Sequence, residues 1–218
     1  MLRPLVLAAA LIVPAVSLAA QQPATSPDSA TFIVMHGADT MITEHFLRTD
    51  RQVLGELDRR AVARRETYKA LLTPDGTVPL VEFAVWASDD PSSRTPRQRV
   101  RVIFKDDSVA VDEVNSAEMM TRTFESQKGA IPYLNLSFVL LEQATRRLAQ
   151  SGADSLPVPF FNLNGGQTAV GMMRRVGADS ASLQLGTVGF QLHLDKEGRL
   201  LGAAIPAQGV TAERARKS

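Results

Sequence analysis

From residue 31 to residue 212 apolar and polar side chains alternate in run after run, interrupted once by a different rhythm. A period of two is the signature of half-buried strands, and it commits most of this chain to β-sheet. "TFIVMH" and "TMITEHFLRT" flank the turn Gly37-Ala38-Asp39; a three-residue connection sets His36 opposite Thr40, Val34 opposite Ile42 and Phe32 opposite Glu44. "RQVLGELDRR", "VARRETYKALL" and "TVPLVEFAVWAS" continue the pattern, with a type I turn signal in "TPDG" at 73–76. "QRVRVIFKDDSVAVDEV" is the clearest hairpin. With Asp106-Asp107 as its turn, Arg101 falls opposite Asp112 and Val102 opposite Val111, so one face is apolar and the other charge-paired. Further strands follow in "SLPVPFFNLN", "QTAVGMMRRV", "SASLQLG", "VGFQLHLD" and "RLLGAAIP", separated by a Gly165-Gly166 turn, a GAD and a "KEG" turn.

The interruption is "IPYLNLSFVLLEQATRRLAQSG". Leu134, Phe138, Leu141, Thr145 and Leu148 recur at helical spacing, and Leu140 and Ala144 widen the stripe. Pro132 suits a first turn, Arg146 and Arg147 a last turn and Gly152 a stop, which predicts a helix over about 132–150. Its first half is apolar almost all round, so it has to be buried on more than one side. The expected fold is mainly β (α+β): a curved antiparallel sheet or half-barrel packed on one long apolar helix.

The chain opens "MLRPLVLAAALIVPAVSLAA". Arg3, the apolar run Leu5 to Val16 and the small residues Ser17, Ala19 and Ala20 make the three regions of a signal peptide, with cleavage after Ala19 or Ala20. The apolar run is shorter than the roughly 20 residues of a membrane span, so the mature form is expected to have none. Residues 21–30 then read as a flexible leader, 31–212 as a single β-rich domain and 213–218 as a frayed tail. The expected location is the periplasm of a bacterial envelope or the outside of the cell.

The chain has 24 basic and 23 acidic residues. A balance this even argues against nucleic acid and against charge-driven membrane binding. Zero Cys excludes disulfides, thiolate catalysis and Cys-ligated metals.

The tetrapeptide GAD[ST] occurs at 37–40, 152–155 and 177–180. Nothing around the copies repeats, and each sits where the pattern reverses or the helix ends. Gly supplies the turn and Asp bonds nearby amides, so the copies are read as punctuation rather than calcium ligands. His36 and His45 leave opposite faces of their hairpin, and no zinc-binding, nucleophile-elbow or phosphate-loop motif occurs. Ser137 is expected to bond to the helix backbone one turn earlier. The pairs Asp89-Asp90, Asp106-Asp107 and Asp112-Glu113 are adjacent in sequence, so they do not face one another across a cleft. No catalytic residue, metal ligand or cofactor is assigned. Arg97, Arg99, Arg101 and Lys105 share one strand face: either a solvated surface neutralised by Asp112 and its neighbours, or a site for an anionic ligand or lipid headgroup.

A curved sheet can leave an apolar space against its helix, the usual setting of a small-molecule site. Phe83, Val102, Phe104, Phe138, Leu141, Phe160 and Phe190 are the candidate lining. The order of strands, one long helix and more strands behind a signal peptide resembles the periplasmic lipoprotein-carrier (LolA-like) half-barrels and related secreted bacterial β-proteins of unknown function. That resemblance covers the layout of about 31–212, and it implies non-enzymatic binding of a lipid or acyl chain in the envelope. The alternatives are an envelope interaction or scaffold domain with a filled core, and an enzyme of unrecognised type. If Phe138 faces the core, Phe138→Asp buries an unpaired charge and lowers the melting temperature sharply; an unchanged melting curve would place the helix elsewhere.

Overall fold

A strand is stable only when its backbone N–H and C=O groups find partners, and this chain supplies them by turning back at almost every loop. The computed structural model describes residues 26–87, 95–115 and 118–216. The expected signal peptide, the first half of the expected leader, the Asp89-Asp90 pair and the last two residues lie outside them.

The chain runs through β1 (Asp28–His36), β2 (Asp39–Arg48), β3 (Gln52–Arg59), β4 (Arg64–Leu71), β5 (Leu80–Ala87), β6 (Gln98–Phe104), β7 (Ser108–Asn115) and β8 (Met119–Glu125). After these come β9 (Ile131–Tyr133), α1 (Phe138–Ser151), β10 (Ser155–Asn162), β11 (Thr168–Arg175) and β12 (Ser180–Leu185), then β13 (Val188–Leu194), β14 (Leu200–Ile205) and β15 (Val210–Arg216). All the strands belong to one large curved, open sheet, in the order β8-β7-β6-β5-β4-β3-β2-β1-β15-β14-β13-β12-β11-β10-β9. The sheet is therefore two meanders, joined where the first strand pairs antiparallel with the last. Its two ends approach each other through side chains. Phe161 of β10 lies 5.8 Å from both Phe104 of β6 and Phe124 of β8, and the Thr168 and Ser126 hydroxyls are 2.9 Å apart.

Registers follow the alternation closely. Val34 faces Ile42 and Phe32 faces Glu44, as expected, but the first turn is tighter: His36 pairs with Asp39, and a bulge after Val34 restores the register. Arg101 faces Asp112 and Val102 faces Val111. The 73–76 turn closes with the Gly76 N–H donating to the Thr73 carbonyl at 2.9 Å.

Three expectations are corrected. The helix starts at Phe138, not at 132, because Ile131–Tyr133 is β9, which pairs parallel with β10. A parallel pair needs a long crossover, and α1 is that crossover; Pro132 is tolerated because β9 is the last strand of the sheet. Gly152 does end the helix, in the left-handed conformation at φ 66°. Residues 28–30 open β1 instead of closing a flexible leader. Residues 213–216 are not frayed: they belong to β15, between β1 and β14.

The core lies between α1 and the inner face of the sheet. Every residue from Phe138 to Thr145 is buried, which meets the demand for cover on more than one side. Phe138 packs 6.1 Å from Phe32, which stacks 5.9 Å from Phe46.

Within this apolar setting sits Glu142, fully buried. Arg214 approaches it at 2.8 Å, Arg146 at 2.8 Å and Arg48 at 3.2 Å, and the Leu200 N–H donates to it at 3.1 Å. Arg214 also clasps Asp28 at 2.5 and 2.6 Å and lies over the Phe46 ring at 4.9 Å. Arg48 donates to Gln143 at 2.9 Å and to the Val139 carbonyl at 3.1 Å. One cluster thus joins α1 to β1, β2, β14 and β15.

Breaking one partner of a buried ion pair costs about 3–5 kcal/mol, because the other charge is left without compensation. Deletion of residues 213–218, and Arg214→Ala alone, are both expected to lower the unfolding free energy by about that amount in chemical denaturation. A frayed tail would leave the midpoint unchanged.

Candidate functional site

The seven residues singled out as pocket lining all lie in one apolar core. Val102, Phe138, Leu141, Phe160 and Phe190 are buried there, and Phe83 and Phe104 pack half-buried against it. Phe160 meets Tyr133 edge-on at 6.2 Å, and Phe104 meets Phe161 edge-on at 5.8 Å.

At the N-terminus of α1 the core contains a second polar cluster that was not anticipated. Glu44 of β2 is fully buried. It accepts hydrogen bonds from the Tyr68 hydroxyl at 2.8 Å and the Ser137 hydroxyl at 2.5 Å. The Phe138 and Val139 N–H groups donate to it at 2.8 and 3.2 Å. A helix N-terminus leaves unpaired N–H groups and a partial positive charge, and a carboxylate answers both. Ser137 is the N-cap residue, but its hydroxyl points to Glu44 and not back into the helix. The expected bond from Ser137 to the preceding turn is therefore replaced by one to a strand. Tyr68 reaches Glu44 by crossing Gly55, its partner on β3; a Cβ at Gly55 would stand 2.1 Å from the tyrosine ring.

Burial raises the Glu44 pKa above its usual value, against the lowering effect of the four donors. Burial and the neighbouring Glu44 push the Tyr68 hydroxyl well above its own. Ser137, Glu44 and Tyr68 are all buried, and the acceptor capacity of Glu44 is taken up by the helix end and the two hydroxyls. The arrangement caps a helix; it presents nothing to a substrate. Glu44 was nevertheless detectable in the sequence. It shares the parity of Ile42 and Phe46, so it is an acid on a core-facing stripe.

The GAD copies lie where turns were expected. Gly37 and Gly152 have φ of 59° and 66°, and Asp39, Asp154 and Asp179 are exposed. Among the described residues no group of three or more His, Asp or Glu side chains converges as a metal site.

Three clefts stand out among the described residues. One of about 160 Å³ lies beside the end of α1, between Leu148, Ala149 and the 195–198 turn. One of about 500 Å³ lies over β13–β15, lined by His193, Gly202, Thr211 and Glu213 among others. The third, about 550 Å³, spans β4 to β8 on the face turned away from the core. Besides Tyr68, Val100 and Phe83, the one expected lining residue that reaches it, its lining falls into two rows of directly paired residues. Lys69, Glu82, Arg101 and Asp112 form one. Thr67, Ala84, Arg99, Val114 and Met119 form the other. In the first row Arg101 lies between two carboxylates, one on each neighbouring strand. In the second, Arg99 lies between Ala84 and Val114, with no carboxylate directly across. Beside the second row, Arg65 stacks on Trp86 at 5.0 Å and the Trp86 indole N–H donates to Thr67 at 3.2 Å. The sequence pointed to a ladder of Arg97, Arg99, Arg101 and Lys105; of these Arg99 and Arg101 line the groove, which depends on how five strands are shaped together.

No family model matches the chain, and no curated protein matches it. Solved structures are similar to it, two of them as follows. The first is a DUF1089 family protein from Pseudomonas aeruginosa, at 14% identity and a TM-score of 0.53, over 79% of this chain and 92% of that one. The second is a β-barrel-like protein of the domain of unknown function DUF1849 from Brucella abortus, at 8% identity and a TM-score of 0.48, over 88% of this chain and 95% of that one. The likeness is one of fold. It transfers no residue role.

The raised Glu44 pKa has a consequence for stability. The folded protein holds this proton more tightly than the unfolded chain, whose value lies near 4.5. The stabilisation is therefore complete below pH 4.5 and is lost as pH rises from there through the folded pKa. Glu44→Gln carries no such proton. The stability of the wild type relative to Glu44→Gln is expected to fall between pH 4 and pH 8, by about 1.4 kcal/mol for each unit by which burial raises the pKa. Urea unfolding of both proteins at several pH values measures it, and a constant difference would mean that Glu44 titrates as an ordinary carboxylate.

Proposed function

We propose that the protein is an exported, non-enzymatic binding protein of the bacterial envelope, and that it holds a lipid or other partly apolar small molecule in the groove over β4–β8. The observation that carries this reading is the groove itself. Its volume of about 550 Å³ falls within the roughly 300–1,000 Å³ of small-molecule sites, and its lining mixes apolar side chains with a few charged ones. The sequence expectation placed the ligand inside a half-barrel, between sheet and helix. Five of the seven residues proposed there are buried against their neighbours, so a ligand in that space would have to displace packed side chains. The outer groove needs no such rearrangement. The signal-peptide pattern of residues 1–20 supports export, and the resemblance of the strand–helix–strand order in the sequence to lipoprotein carriers is in keeping with a carrier role.

A second reading rests on β8. This strand ends the sheet, and Met119, Met120 and nearby Val114 are exposed large apolar residues. An open edge with apolar side chains is a template for another protein's strand, which makes an envelope interaction domain the alternative.

Native mass spectrometry of protein purified from an envelope fraction separates the two. A discrete bound mass is expected on the wild type and is expected to be lost from Ala84→Trp, which fills the groove from the outer face. A clean mass for the chain alone under gentle conditions would move the reading to the interaction domain.

A further inference from the structure

If the groove is the binding site, its two rows also specify what binds there. We infer that the ligand is an anionic amphiphile: one carboxylate or phosphate head held by Arg99, with an apolar chain lying over Val114 and Met119 towards the open edge of β8. This inference rests on the groove reading.

The argument starts from charge. Lys69, Arg99 and Arg101 face Glu82 and Asp112, so the lining has one cation in excess. None of the three cations lies within ion-pair distance of Glu82 or of Asp112, whose carboxylate accepts from the Thr121 hydroxyl at 2.9 Å, but register distinguishes their surroundings. Arg101 has a carboxylate across from it on each side, Glu82 on β5 and Asp112 on β7. Arg99 has Ala84 and Val114 in the same places. A guanidinium flanked by apolar side chains offers paired donors to an incoming carboxylate or phosphate with little competition from its neighbours. The apolar half continues in one direction only. From Arg99 the row runs through Val114 to Met119, two strand spacings or roughly 10 Å, and ends where β8 has no further neighbour. A straight chain laid along that row has a floor beneath it and an unobstructed exit. In the other direction the row turns polar, through Thr67, whose hydroxyl is engaged by Trp86, to Glu56 on β3. A neutral lipid would leave Arg99 unanswered, and a bare anion would leave Val114 and Met119 in water.

The test titrates the full chain with decanoate, decanol, acetate and anionic phosphatidylglycerol vesicles. The chain's single Trp, Trp86, borders the groove and reports binding by its fluorescence, with calorimetry alongside. Decanoate is expected to bind at least tenfold more tightly than decanol or acetate. Going from octanoate to decanoate is expected to gain up to about fourfold per methylene. Arg99→Gln and Met119→Asp, both at exposed positions, are expected to lose at least tenfold for decanoate while keeping the wild-type circular dichroism and melting curve. Equal binding of decanoate and decanol, both abolished by Ala84→Trp, would overturn the anionic head and leave the groove reading standing. Equal binding of acetate and decanoate would overturn the amphiphile. Binding to vesicles alone would replace it with docking on an anionic bilayer. No binding of any probe, or binding unaffected by Ala84→Trp, would overturn the groove reading and this inference together.

Discussion

Glu142 is the residue around which the molecule closes. A carboxylate with no water contact is tolerated in a protein interior only when charged and hydrogen-bonded partners surround it. Here those partners come from parts of the chain far apart in sequence. Arg48 lies on β2, Arg214 on β15 and Arg146 on α1 itself, and the Leu200 N–H opens β14. Arg214 extends the cluster to Asp28 at the start of β1. Neither the first strand nor the last can leave without stranding a buried charge. Apolar burial would draw these elements together in many arrangements, but the guanidinium geometry accepts few of them. The cluster therefore selects the register in which the two ends of the chain become neighbours.

That junction explains the topology. A meander whose first and last strands pair would be a closed barrel if every sequential pair were also bonded. The bonded order breaks between β8 and β9, and the side chains of Phe104, Phe124 and Phe161 meet across the break. Immediately beyond β9, α1 enters the core. A helix surrounded by sheet cannot satisfy its first N–H groups with water, so a strand has to supply the acceptor. Glu44 does so from β2, while Gln143 and Arg147 anchor the other side of the helix to the Gly76 carbonyl at 2.8 and 3.2 Å. At the far end Thr145 donates to the Gly198 carbonyl at 2.7 Å, across a glycine whose Cβ would collide with Ala149. The helix is held by polar contacts to strands and turns along its first ten residues, and the apolar side chains fill between them.

Much of this was legible in the sequence, and the exceptions share a cause. Alternation located twelve of the fifteen strands and missed β8, β9 and β15; it gave the register at Val34–Ile42 and Arg101–Asp112 because a slip of one residue would turn a whole face inside out. The 3.6-residue stripe located the helix but began it six residues early. Ile131–Tyr133 is as apolar as the helix that follows, and only a strand partner thirty residues later decides its conformation. The tail was misread because "ERARKS" is polar. Residues 213–216 are placed by pairing with β1 and by Arg214 reaching Asp28 and Glu142, and local composition cannot show that. Glu44, Arg48 and Glu66 were each visible as charged residues at core-facing parity. Such residues mark a buried network in advance, although their partners emerge only with the fold.

The same parity separates structure from function. On β4 to β8 the inner positions, such as Tyr68, Phe83 and Val102, serve the core, and their identities are constrained by packing and by Glu44. The outer positions carry none of that burden. Lys69, Glu82, Arg99, Val114 and Met119 could all be ordinary surface residues without changing the stability of the sheet by much. A ladder with two carboxylates facing one arginine and none facing the next is not required by folding. Pairing every cation would have been the more soluble and less adhesive arrangement. A cation with no carboxylate directly across it among the described residues, beside an apolar row and in a groove large enough for a small molecule, is therefore better explained by what the outer face meets than by what the fold needs.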